Sequence, residues 1–160
     1  MIEYASTIFP GFIIPAGNSN TVLGNSIFVN GGLGIDLGAF GTVTPNDAND
    51  VDTGPNDLQN FPVLTAALLE GSDLLLGGTV NTTANTTVRI EFFVSPAADP
   101  SGNGEGRTFI GFVEVNTGAG NTVAFTAAFV TSLVHAGDVI SATASTDGGT
   151  SEFSLALAVT

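Results

Sequence analysis

The ten residues Thr86-Thr87-Val88-Arg89-Ile90-Glu91-Phe92-Phe93-Val94-Ser95 decide the fold class. Val88, Ile90, Phe92 and Val94 recur at every second position, with Thr87, Arg89, Glu91 and Ser95 on the other side and Phe93 as the exception there. Successive side chains of a strand point to opposite faces, so this alternation predicts a half-buried β-strand. Working outward, the same period groups Leu74, Leu76 and Val80, then Phe109, Val113 and Val115, then Val123, Phe125, Ala127 and Phe129. Ile140, Ala142 and Ala144 alternate with Ser141 and Thr143, and Phe153, Leu155, Leu157 and Val159 make a final inward row. Turn formers cluster between these runs at 81–85, 96–106, 118–121 and 147–150. Helical spacing is nearly missing, and 21 glycines and 7 prolines punctuate the chain. The reading is all-β, with about seven short strands making an Ig-like antiparallel β-sandwich over residues 61–160.

Residues 1–60 read differently, as an extended arm, a partial β-helix-like coil and an Asx-rich linker. Asn20, Asn25 and Asn30 recur at five-residue spacing with short apolar pairs between them. Asparagine tolerates the left-handed conformation of sharp corners, so the spacing suits one coil of a parallel β-helix. A single coil cannot bury its apolar edge alone, and about three repeats are normally needed. Its open face must therefore dock on the sandwich or on another chain. Ile13, Ile14, Val22, Leu23, Ile27, Phe28, Leu33 and Ile35 are expected to be buried there. Upstream, Ile8-Phe9-Pro10-Gly11-Phe12-Ile13-Ile14-Pro15 is apolar, yet its prolines exclude a central strand. A strand donated to a neighbouring chain accepts such prolines, which makes Ile8, Phe9, Phe12, Ile13 and Ile14 the candidate subunit interface.

The stretches Gly24-Asn25-Ser26-Ile27, Gly32-Leu33-Gly34-Ile35-Asp36-Leu37-Gly38, Thr44-Pro45-Asn46-Asp47, Asp52-Thr53-Gly54-Pro55-Asn56 and Leu58-Gln59-Asn60-Phe61-Pro62 carry a resemblance. Together with Arg89-Ile90-Glu91-Phe92-Phe93, Asp99-Pro100-Ser101-Gly102, Gly104-Glu105-Gly106 and Thr150-Ser151-Glu152-Phe153-Ser154, they resemble the C-terminal module of secreted bacterial right-handed parallel β-helix repeat proteins. In that family the module follows the helical repeats and forms an Ig-like domain. The resemblance spans residues 20–155 and implies an extracellular or cell-surface location, with no catalytic residues. Ala98 stands where the family often has cysteine, and the long upstream solenoid is missing.

The chain has 160 residues, enough for one ordinary domain or two small ones. Its fifteen Asp and Glu face two basic residues, Arg89 and Arg107, for a net charge of -13. Phosphate binding needs cations, so nucleic acid is not an expected partner. No apolar run reaches the ~18 residues of a membrane span, and direct membrane insertion is not expected either. Met1-Ile2-Glu3-Tyr4 shows no export signal, which suggests a processed or cut start. Cysteine is absent, which removes thiol catalysis, thiolate metal sites and disulfides.

Residues 46–57 gather four carboxylates and three side-chain amides. Asp47, Asp50, Asp52 and Asp57 are the candidate metal ligands, and hard oxygen donors point to calcium. The spacing is not that of an EF-hand, and the competing reading is a linker whose Asx side chains cap their own turns. No cofactor is required by anything in the sequence. Residues 99–107 form a glycine-rich loop, read either as a binding loop or as a structural one in which Arg107 pairs with Asp99 or Glu105. Arg89 is expected outside, pairing with Glu114 or another carboxylate. His135, the sole histidine, falls in a turn and lacks a nucleophile motif. Stacking residues for sugars are scarce, with no tryptophan and one tyrosine. Asn81-Thr82-Thr83 and Asn85-Thr86-Thr87 match the N-glycosylation sequon.

Hydrophobic residues reach 43% and charged residues only 11%, against roughly 25% charged in ordinary domains. The expected function is a non-enzymatic, self-assembling extracellular filament, sheath or surface-layer subunit. The alternative is a monomeric adhesin or calcium-dependent carbohydrate-binding module cut from a larger surface protein.

Overall fold

The computed structural model describes residues 17–160 and the short strand Ile2–Glu3. The strands in chain order are β1 (Ile2–Glu3), β2 (Ile35–Asp36), β3 (Val63–Glu70), β4 (Asp73–Asn81), β5 (Thr87–Ser95), β6 (Thr108–Asn116), β7 (Thr122–Val130), β8 (Val139–Thr146), β9 (Gly149–Thr150) and β10 (Leu157–Ala158). Ile8, Phe9, Phe12, Ile13 and Ile14 lie outside the described residues. Among those described, no helix is long and apolar enough to cross a membrane.

Two antiparallel sheets form a β-sandwich, as the two-residue period requires. One has the order β3-β4-β7 and the other β10-β8-β5-β6, with β9 also paired to β8. The inward rows meet in one core. Leu74, Leu76, Val80, Phe125 and Ala127 come from the first sheet, and Val88, Ile90, Phe92, Val94, Ile140, Ala142 and Ala144 from the second. The ring of Phe92 lies 5.9 Å from that of Phe125 and 5.8 Å from that of Phe129.

Three side-chain assignments change, the first two because the alternation shifts by one residue. Phe92 pairs with Gly111 but Phe93 pairs with Phe109, so Ile110 is an extra residue on β6. An extra residue reverses which face the strand presents. Ile110 therefore joins Val113 and Val115 at the main core, while Phe109 faces the opposite side. Near the C-terminus, Ser151 N–H donates to Ala144 O and Ser154 N–H to Ala142 O, three residues against two. A second offset follows, Leu157 pairing with Ile140, and between the two Leu155 is left 63% exposed while Leu157 and Val159 reach the core.

The third change concerns the polar face of β5 and β8, which is not open to water. Glu91, Phe93 and Ser95 of β5 and Ser141, Thr143 and Ser145 of β8 are all buried beneath residues of the 17–60 segment and the loop before β6. A second apolar cluster forms there from Ile35, Leu37, Phe93 and Phe153, with Val22, Ile27, Leu58 and Phe109 against it. Phe93, the misfit of the strand pattern, is its centre, with its ring 5.5 Å from Phe153 and 5.7 Å from Phe109. Leu33 and Ile35 are buried, and Val22 and Ile27 partly so. Leu23 and Phe28 instead stay exposed, Phe28 because its ring lies 5.0 Å beneath the Arg107 guanidinium, where cation–π attraction tolerates water. In the same segment, β1 pairs in parallel with β2, Ile2 beside Ile35 and Glu3 beside Asp36.

Candidate functional site

Three carboxylates buried in the second sheet and its loops fasten the 17–60 segment. Glu91 is completely buried and accepts the Gly24 N–H at Oε2, 2.7 Å away. Its Oε1 receives Arg89 Nε at 2.9 Å, and the Arg89 guanidinium lies 3.4 Å over the Phe112 ring. Arg89 therefore takes its strand neighbour two residues on as its carboxylate partner. Glu105 accepts Asn30 Nδ2 at 2.7 Å, and Glu152 accepts the N–H groups of Leu37 and Thr44, both at 2.8 Å. Burial holds the Glu152 carboxyl above its usual range, even though those two N–H donors favour the ionised form.

Amides do the same work at the next corner. Asn56, in a left-handed conformation at φ 49°, donates Nδ2 to the carbonyls of Asn20 and Thr150 at 2.9 Å each and accepts the Asn20 N–H at 3.0 Å. Gly149 passes so close to the Asn56 side chain that a Cβ there would overlap it. Arg107 pairs with neither Asp99 nor Glu105 as an ion pair. Asp99 instead caps the Ser101 N–H at 2.8 Å. The 99–107 loop is held by Asn103 Nδ2 donating to Phe153 O and by Ser95 and Ser141 hydroxyls donating to Glu105 O.

The residues 46–57 fold into a compact knot around Asn60. Asn60 Oδ1 accepts the Asp47 N–H, and its Nδ2 donates to Asp47 O and Asn81 O. Left-handed conformations at Asn49 and Asp50 turn the chain so that Asp47, Asp50 and Asp52 converge, one oxygen of each within 4.8 Å of the others. Asp50 is fully engaged, accepting the Asn60 N–H at 2.8 Å, Gln59 Nε2 at 2.9 Å and Thr82 Oγ1 at 2.6 Å. Burial raises the Asp50 carboxyl above its ordinary pKa, against the lowering effect of Thr82 and Asn60, and the charges of Asp47 and Asp52 add to it. Burial and then the Asp47 charge raise Asp52 in the same way. One oxygen each of Asp47 and Asp52 is buried without a hydrogen-bond partner. Three clustered carboxylates with two uncommitted buried oxygens are a donor set that suits a hard cation. Asp57 stands apart from this group, its Oδ1 accepting Asn18 Nδ2 at 2.5 Å.

Asp50, Asp52 and Asp57 border a polar cleft of about 520 Å³, lined also by Thr83, Thr146 and Asp147. His135 lies exposed at a turn, 3.5 Å from Asp138. Of the two sequons, Asn81 is engaged with Asn49 N–H and Thr122 Oγ1, whereas Asn85 is exposed. Sequence reasoning missed the anchoring roles of Glu91, Glu105, Glu152, Asn56 and Asn60. The available signal was an acid set among large apolar residues, Ile90-Glu91-Phe92 above all. No protein-family model matches the chain, and no curated protein is similar to it.

Proposed function

We propose that the chain is a non-enzymatic structural protein that assembles with its own copies, as a subunit of an extracellular filament, sheath or surface layer. The observation that carries this reading is the outer face of the β3-β4-β7 sheet. Leu68, Leu75 and Ala128 stand side by side across its three strands, and Leu68 and Leu75 are each 46% exposed. Val63 and Val130 extend the exposed apolar surface, and the charged residues of this sheet, Glu70 and Asp73, share one end. Such a face is stabilised by packing on a neighbour. Glu91, Glu105 and Glu152 are engaged in holding backbone, which favours architecture over acid–base chemistry.

In this reading Ile8, Phe9, Phe12, Ile13 and Ile14 of one copy complete an open edge or groove of the next. In the same reading the sandwich is Ig-like, and residues 1–60 comprise the arm, a partial β-helix-like coil and the Asx-rich linker. The extracellular or cell-surface location rests on the resemblance to secreted modules. Size-exclusion chromatography with electron microscopy tests the proposal: polymers or rings support it, and a 16.1 kDa monomer at every concentration overturns it.

A second reading, a calcium-dependent adhesin or carbohydrate-binding module, is favoured by the uncommitted oxygens of Asp47 and Asp52, the latter residue bordering the polar cleft. Isothermal titration with calcium, then with oligosaccharides, tests it. Absence of calcium binding to the chelator-treated protein removes this reading.

A further inference from the structure

Among the described residues four strands bound the two sheets, namely β3 and β7 in one and β6 and β10 in the other. A free edge is a row of unpaired N–H and C=O groups, and folds blunt it by shortness, bulges, charges or cover. β10 has two residues. β3 carries a register shift between Leu64 and Ala66 and is covered by the C-terminal residue, with Leu69 N–H donating to Thr160 O and Thr160 N–H to Ala67 O. β6 carries the exposed acid Glu114 and the extra residue Ile110. Among the described residues β7 has none of these devices. Its nine residues include no charge and no proline, and its register with β4 runs unbroken from Thr122 to Val130.

We propose that the free edge of β7 is a self-association surface, and that its occupant is β7 of a second copy, antiparallel about a two-fold axis at Thr126. The inference rests on the self-assembly reading and names a contact separate from the N-terminal arm. Two-fold pairing sets Thr126 opposite Thr126, Ala124 opposite Ala128 and Thr122 opposite Val130 on the exposed face. On the core side it sets Val123 opposite Phe129. Both are only partly buried in the single chain, and an aromatic beside a β-branched residue is a favourable cross-strand pair.

Charge selects the direction. The acids Glu70 and Asp73 sit at the Val130 end of the sheet, whereas the Thr122 end pairs with Asn81. Antiparallel pairing places the acidic corner of each copy beside the neutral corner of the other. Parallel pairing would set the two acidic corners together, in a chain already at -13.

The chain contains no cysteine, so a single introduced thiol reports on one position. Under mild oxidation, Thr126→Cys is expected to give a covalent dimer, because directly opposed Cα atoms lie about 4.5–5.5 Å apart, within disulfide reach. Ala128→Cys, exposed on the same strand, is the control, since its two copies would lie about 14 Å apart. The double variant Ala124→Glu/Ala128→Glu sets like charges opposite each other twice and should weaken dimerisation about tenfold. Ala124→Lys/Ala128→Glu makes both pairs opposite in sign and should restore it. Cross-linking of Thr126→Cys no faster than the control, or a double-Glu variant that dimerises as the parent does, overturns the proposal. Should the double-Glu variant assemble fully while deletion of residues 1–16 abolishes assembly, the β7 contact fails and the self-assembly reading stands. A parent chain that is monomeric at every concentration overturns both.

Discussion

Replacing Glu152 by alanine removes the acceptor of two backbone N–H groups, those of Leu37 and Thr44, from a residue only 2% exposed. A buried N–H left without a partner costs ~1–3 kcal/mol. Leu37 is buried and Thr44 partly so. Taking the middle of that range for the first and its low end for the second gives about 3 kcal/mol in total. Removing a carboxylate whose pKa is raised by burial returns part of this, which leaves a net loss of about 2–3 kcal/mol. For a chain of this length the loss corresponds to a fall in Tm of roughly 5–10 °C. Calorimetry at pH 7 measures the fall, and amide hydrogen exchange locates it. Exchange should quicken at Leu37 and Thr44 while the β4–β7 ladder stays protected at the level set by global stability. Glu152→Gln keeps one acceptor oxygen and should lose about half as much. A Tm within ~1 °C of the parent for Glu152→Ala, or exchange unchanged at both amides, would refute the anchoring argument.

The acids with raised pKa values give stability a definite pH slope. For Asp50, Asp52 and Glu152 the folded chain holds protons that the unfolded chain has already released, so their contribution is complete below about pH 4 and is lost as pH rises through the raised values. Tm should therefore be higher at pH 5 than at pH 7.5, and the reverse order would contradict the shifts. Gly106→Ala places a Cβ 2.7 Å from ring atoms of both Phe93 and Phe153, and overpacking of this kind should cost ~1–3 kcal/mol in chemical denaturation; an unchanged midpoint counts against a tightly packed second cluster. If calcium binds Asp47, Asp50 and Asp52, a hundredfold excess over Kd should add about 2.7 kcal/mol, an effect that Asp47→Asn/Asp52→Asn removes. An identical melt with chelator and with calcium would eliminate that site.

The sandwich was legible because one face of each strand carries a complete apolar row, Leu74-Leu76-Val80 and Ile140-Ala142-Ala144 being the clearest. What the period could not register was an inserted residue. Ile110 and the offset between 142–144 and 151–154 each reverse a face, and the turn and ladder geometry that fixes them is not local to any alternating run. Phe93 signalled the second cluster, but Glu91 beside it read as a solvent-facing acid, since nothing in the strand reveals that Gly24 brings a donor to it from 67 residues away. Of the four aspartates singled out, three converge through the left-handed turn at Asn49 and Asp50. Asp57 shares their composition but follows a second left-handed bend at Asn56, which aims it toward Asn18.

Sedimentation velocity on the full chain and on the chain lacking residues 1–16, each with negative-stain microscopy, tests self-assembly through the arm most directly. The account predicts polymers or rings for the full chain over a range of concentrations and salt, and a folded species smaller than any of these for the truncated one. A full chain that sediments as a 16.1 kDa monomer throughout, or a truncated chain that forms the same polymers, would contradict it.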